Sequence, residues 1–137
     1  MRVLCLDMGE RRIGVALSDP GGIIASALTV IERKSEDITL EDIISLAQEH
    51  GVERIVVGMP RSLDGTLGKQ ARGVEAFVES LKERTELPVV TWDERMSTVA
   101  AKRMLAEAGV KRAKMKNRID SMAAAFILQG YLDRKDR

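Results

Sequence analysis

The stretch Arg2-Val3-Leu4-Cys5-Leu6-Asp7-Met8-Gly9, followed closely by Ile13-Gly14-Val15-Ala16-Leu17, decides the fold. Arg2 to Leu6 is apolar and β-prone, so a strand is expected to end near Asp7. Gly9, Glu10 and Arg11 form a tight connection, and Ile13 to Leu17 is a second short strand. Pro20, Gly21 and Gly22 mark another turn, and Ile23 to Ile31 reads as a third strand. Parallel strands need a long crossover, so three strands joined this closely form an antiparallel meander.

Beyond the meander the period changes. Leu40, Ile43, Ile44 and Ala47 recur at helical spacing. Thr39 with Asp42 resembles a capping box with Asp in place of Glu, and Gly51 is placed to end the helix. Arg54 to Gly58 is a compact β-branched strand, and Met59 to Gly68 is a turn-rich loop. Val74, Phe77, Val78 and Leu81 define a second helix. Val89 to Trp92 is a further strand, with Pro88 at its start. A helix over Thr98 to Ala108 and a last helix over Ile119 to Leu132 complete the pattern. The order βββαβαβαα predicts an α/β fold with one mixed five-stranded sheet. Three strands form the antiparallel meander, two are parallel, and helices flank the sheet. No repeat or linker divides the chain, so residues 1–137 are expected to form a single domain.

Composition narrows the function classes. The chain has 137 residues, 45% hydrophobic and 31% charged, which indicates neither disorder nor a membrane class. Aromatics are only 3%, so the core must be aliphatic. The start shows no signal-peptide pattern, because Val3 to Leu6 runs straight into Asp7. The single cysteine, Cys5, lies in an apolar run and reads as a buried thiol, as expected of a reducing cytoplasm. Net charge is +1, so global charge announces no nucleic-acid binder. Its distribution says more. Lys111, Arg112, Lys114, Lys116 and Arg118 fall within eight residues without an acid. Such a block is either an exposed, mobile loop or a phosphate-binding segment.

Three acidic positions could carry chemistry. Asp7 ends a strand at the C-terminal edge of the sheet, where open α/β folds place ligands. An Asp there can equally cap a turn. Asp93 and Glu94 close the fifth strand and would emerge at the same edge, or merely solvate the strand end beside Arg95. Asp120 opens the last helix on a face shared with Ala123, Ile127 and Tyr131. It could simply oppose the helix dipole, but the small Ala123, Ala124 and Ala125 let this helix approach the sheet and bring Asp120 inward. Carboxylates gathered at one edge repel, and a divalent cation relieves that. Hard oxygen ligands favour Mg²⁺ or Mn²⁺, and two such ions about 4 Å apart suit phosphodiester hydrolysis. Arg12, Arg61 and Arg95 lie in or beside the same edge loops and can fork onto phosphate. His50, the only histidine, reads as a helix cap.

Several stretches, taken in order, resemble the RuvC-related family of Holliday junction resolvase-like proteins called YqgF or RuvX. They are Leu6-Asp7-Met8-Gly9 with Arg12-Ile13-Gly14-Val15-Ala16, then Val57-Gly58-Met59-Pro60 with Asp64-Gly65 and Gly68. Asp93-Glu94-Arg95 follows, then Asp120-Ser121 with Ala123-Ala124 and Ile127-Leu128. The resemblance implies a ribonuclease-H-like fold and a divalent-metal nuclease. Its roles would be processing the 5′ end of pre-16S rRNA or resolving branched DNA. Carried over, the catalytic and metal-binding acids are Asp7, Glu94 and Asp120. The nucleic-acid contacts expected are Arg12, Arg61, Arg95, Lys114, Lys116 and Arg118, and a homodimer is possible to build from such a domain. RuvC-type resolvases carry an acid at the end of their fourth strand. Here that place reads Gly58-Met59-Pro60. Two other classes stay open: a nucleic-acid-binding factor without catalysis, and an ATP-binding phosphotransfer module, since Asp7-Met8-Gly9 also resembles the first phosphate loop of actin-like and sugar kinases.

Overall fold

The computed structural model describes residues 1–60, 68–93 and 112–134, with the side chains of 112–120 excepted. Its strands are β1 (Val3–Met8), β2 (Arg12–Ser18), β3 (Ala25–Glu32), β4 (Arg54–Met59) and β5 (Val89–Asp93), and its helices are α1 (Glu36–Glu49), α2 (Lys69–Arg84) and α3 (Arg112–Arg134). The expected helix over Thr98 to Ala108 lies outside the described residues. The five strands form one mixed sheet in the order β3-β2-β1-β4-β5. β1, β2 and β3 are antiparallel, whereas β4 runs parallel to both β1 and β5. This is the mixed α/β sheet anticipated from connection lengths, and it agrees with the ribonuclease-H-like fold that the resemblance implies.

The period of two in each strand sorts side chains between two cores. Leu4, Leu6, Met8, Ile13, Val15, Ile55, Val57 and Met59 face one way and pack with Leu40 and Ile43 of α1 and with Val74, Phe77 and Leu81 of α2. Val3, Cys5, Ala16 and Val56 face the other way, against Ala124, Ile127, Leu128 and Tyr131 of α3. β1 is thus buried on both faces, as a central strand with helices on either side must be. The second core includes small residues where α3 meets the sheet. Cys5, Ala16 and Ala124 have no exposed surface at all, so helix and sheet approach closely.

Three boundaries differ from expectation. The first helix starts at Glu36, with Ser35 as N-cap accepting from the Ile38 N–H at 3.3 Å. Thr39 is instead buried within the first turns, where its Oγ1 accepts from the Lys34 N–H at 3.1 Å. β3 begins at Ala25 because Ile23 and Ile24 belong to the turn. Asp19 Oδ1 accepts from both of their N–H groups, at 2.7 and 2.9 Å. The last helix begins at Arg112 rather than Ile119. Arg112 to Arg118 contains no Gly or Pro and consists largely of good helix formers, so the basic block is helical rather than a loop. Like charges such as Lys114 and Arg118, four apart, cost only a few tenths of a kcal/mol. His50 does cap α1, with Nδ1 3.1 Å from the Leu46 carbonyl oxygen.

Two outcomes are expected. Ala124→Leu adds volume where α3 meets the sheet and should destabilise by about 1–3 kcal/mol, read as a lower urea midpoint with an unchanged m-value. The two backbone N–H groups at Ile24 and Ile23 hold the Asp19 carboxyl below its ordinary 3.8. A carboxylate held low stabilises the fold above its unfolded pKa and loses that effect as pH falls through the folded value. The stability difference between wild type and Asp19→Asn should therefore shrink as pH drops below about 4.

Candidate functional site

Asp7 stands at the penultimate position of β1, half-buried between buried Leu6 and Met8. Strand alternation fixes its direction. Val3 and Cys5 belong to the core under α3, so Asp7 faces the α3 side. Its neighbours across the sheet matter as much. Asp7 pairs in register with Gly14 of β2. On β4, Val57 pairs with Leu6, and Gly58 comes next. Glycine therefore stands beside Asp7 on both flanking strands. A strand glycine is weak for packing but opens room where something approaches the backbone closely. Neither glycine places a side chain beside the carboxylate.

The turn after Asp7 is tightly determined. The Gly9 N–H donates to the Arg12 carbonyl at 2.9 Å. A Cβ at Gly9 would sit 2.5 Å from that same oxygen, so only glycine fits. The Gly9 carbonyl accepts from Arg33 Nη1 at 2.8 Å. Arg12, half-buried, opens β2 directly behind this turn. It therefore shares the edge with Asp7.

Asp93 behaves differently. It pairs with Met59, a member of the α1–α2 core, while Val90 and Trp92 pack on the α3 side. Asp93 thus lies at the right edge but on the opposite face from Asp7. Glu94, Arg61 and Arg95 lie outside the described residues. Lys114, Lys116, Arg118 and Asp120 are placed along the backbone of α3.

The direction of α3 follows from its far end. Gln129 Oε1 accepts from the Ala25 N–H at 2.9 Å, at the start of β3. Arg54 Nη1 donates to the Tyr131 hydroxyl at 2.6 Å, at the start of β4. Asp120 precedes these by about ten residues, or roughly 15 Å of helix. β1 from Val3 to Asp7 covers roughly 13 Å. The helix therefore runs back along the sheet and carries the main chain of Asp120 towards the edge where β1 ends. Ala123 and Ala124 are buried one turn on, which is why the helix can lie so close. Among the described residues no group of three or more metal-ligating side chains is complete.

A family model described as "RuvX: Holliday junction resolvase" matches residues 1–134. The chain belongs to the RuvX family. A relative from Desulforamulus reducens is 53% identical over 133 residues, covering 97% of each chain. One from Clostridium kluyveri is 49% identical over 134 residues, covering 98% of each. Both bear the name "Putative pre-16S rRNA nuclease". RuvC of Thermus thermophilus, in complex with Holliday junction substrate, superposes with a TM-score of 0.59 at 16% identity, covering 98% of this chain and 96% of that one. At that identity the likeness shows the fold, and it is the ribonuclease-H-like one.

In this RuvX chain, two features of the edge could not be placed from the sequence. Gly14 and Gly58 stand within the motifs that carry the resemblance, but they flank Asp7 only once β2 and β4 are its neighbours. Arg33 gains its place because β3 delivers it to the turn after Asp7. The Gly9 geometry gives a direct check. Gly9→Ala drives a Cβ into the Arg12 carbonyl, so the turn must open. The expected cost is about 1–3 kcal/mol, seen in a denaturant midpoint.

Proposed function

We propose that this protein is a divalent-metal-dependent nuclease that hydrolyses phosphodiesters of structured nucleic acid, with Asp7, Glu94 and Asp120 as its catalytic acids. The observation that carries this reading is Asp7, a half-buried carboxylate at a strand end, facing α3 between two glycines. A hard oxygen donor of this kind suits Mg²⁺ or Mn²⁺. Glu94 is taken as the second acid from the resemblance of Asp93-Glu94-Arg95 to the family's motif, and its neighbour Asp93 lies on the face away from α3. Asp120 lies on the helix that covers that side. These three would hold the metal, which supplies charge stabilisation and activation of water in phosphodiester hydrolysis.

The chain's own cations do the rest. Arg12 begins β2 at the same edge and can fork onto a phosphate. Arg61 and Arg95 are assigned to the same task from their places beside the edge in sequence. Lys114, Lys116 and Arg118 sit in the N-terminal half of α3, where the helix dipole favours anions. Acids would lie at the centre and cations on the flank, so a polyanionic strand could be bound without neutralising the acids.

The substrate we assign is the 5′ end of pre-16S rRNA, on the strength of the names carried by relatives about half identical along their whole length. A four-way DNA junction is the second reading, favoured by the description of the matching family. A reducing cytoplasm suits the lone buried Cys5, and among the described residues no helix is long and apolar enough to cross a membrane. Cleavage of a matched panel of precursor rRNA ends, single strands and junctions, with Mg²⁺ and with Mn²⁺, separates the substrates. A protein that binds but never cuts any of them would instead be a binding factor.

Substitution tests the acids. Asp7→Asn keeps the shape and removes the charge, so cleavage should fall by orders of magnitude while binding persists. Glu94→Gln should act alike. Asp93→Asn, on the other face, should leave most activity. If Asp93→Asn were as damaging as Glu94→Gln, the choice of Glu94 over Asp93 would be wrong. Undiminished cleavage by Asp7→Asn would move the site elsewhere.

A further inference from the structure

We propose that Arg33 is a substrate-binding residue that holds a backbone phosphate of the nucleic acid on the α2 side of the catalytic edge. β3 runs parallel to β1, since both are antiparallel to β2, so its C-terminal end lies at the same edge as Asp7. Arg12 pairs with Glu32, and the next N–H, that of Arg33, donates to the Arg11 carbonyl at 2.8 Å. The guanidinium is then fixed twice. Its Nη1 donates to the Gly9 carbonyl at 2.8 Å, and its carbon lies 5.7 Å from the centroid of the Phe77 ring. An exposed arginine ordinarily loses much rotamer freedom on binding. Here that ordering has already taken place in the free protein.

Arg33 lines a crevice of about 100 Å³ with Gly9, Glu10, Gln70 and Gly73. That exceeds the ~30 Å³ share of one water. Among the described residues Arg33 makes no ion pair, although Glu10 shares the crevice and Glu32 precedes it. The Gly9 carbonyl takes one of its five N–H donors, and a neutral carbonyl leaves its charge uncompensated. A phosphate is the natural counter-ion for a rigid guanidinium fork. The basic first turns of α3 lie on the other side of the sheet, so Arg33 gives the edge a cation on its α2 flank.

The inference rests on the nucleic-acid binding of the proposed function and not on cleavage. Its test is the salt dependence of binding. Fluorescence anisotropy with a duplex RNA in Ca²⁺, from about 50 to 200 mM salt, should show the slope of log K against log salt lowered by about 0.9 in Arg33→Gln. Arg33→Lys should keep most of the slope, and Lys82→Gln, at the far end of α2, all of it. An unchanged slope in Arg33→Gln, with only a lower melting temperature, would make Arg33 a latch for the turn and overturn the proposal. Should Arg33→Gln not fold, the wild type answers by phenylglyoxal modification read by mass spectrometry. Protection of Arg33 by RNA is the expected result, and no protection overturns it. Equal protection by inorganic phosphate at matched phosphate concentration would mark a free-phosphate site and likewise overturn it. A protein that never cuts but shows the lowered slope fails the nuclease reading and keeps this one.

Discussion

β1 is buried on both faces, and that constraint organises the rest of the molecule. Its odd and even residues go to different cores, Leu4 and Leu6 to one, Val3 and Cys5 to the other. A slip of one residue against β2 or β4 would exchange the two sets. It would push the Asp7 carboxylate into the core beneath α1 and α2, where an unpaired charge is costly, and withdraw Leu6 from it. Five register pairs with β2 and four with β4 oppose such a slip. The side of the sheet that the carboxylate faces is therefore set by the packing of its neighbours in β1.

The two cores differ in kind, and the difference serves the edge. The α1–α2 core uses Leu, Ile, Val, Met and Phe side chains to fill a wide gap. The α3 core places Cys5, Ala16 and Ala124 at its contact, so the helix lies close. A helix held off by larger side chains would carry Asp120 away from the sheet. Close packing is also unforgiving, because interiors at crystal-like density do not absorb an added methylene without strain. Tyr131, anchored by Arg54 and packed edge-on against Trp92 with ring centroids 5.7 Å apart, fixes the far end of the helix. Its tilt and depth thus depend on both the small contact and the large anchor.

Much of this was legible from the chain. Short connections between Leu6 and Ile31 required an antiparallel meander, and helices before β4 and β5 required parallel strands. Asp7 was legible as an edge residue because an apolar run ends there. Boundaries were harder. Thr39-Leu40-Glu41-Asp42 looks like a cap, yet Ser35 supplies one a full turn earlier, and local pattern alone does not choose between two adequate caps. The basic block from Arg112 looked like a loop because charge runs usually are, but charge does not break a helix while Gly and Pro do. Arg33 carried no signal at all. Its role arises from β3 returning beside the turn after Asp7, a contact across 24 residues that no local pattern encodes.

The fourth strand shows how the proposed site copes with a missing acid. RuvC-type resolvases place a carboxylate at the end of that strand, and here the α3-facing position is Gly58. Under the proposed function the second acid is Glu94, which follows β5 in sequence and is longer than Asp by one methylene. Gly58 stands on β4, the strand between β1 and β5, and places no side chain between Asp7 and β5. A larger residue there would stand on the α3-facing side beside Asp7, so the glycine that weakens β4 as a strand is compatible with a shared site in a way that a branched residue would not be.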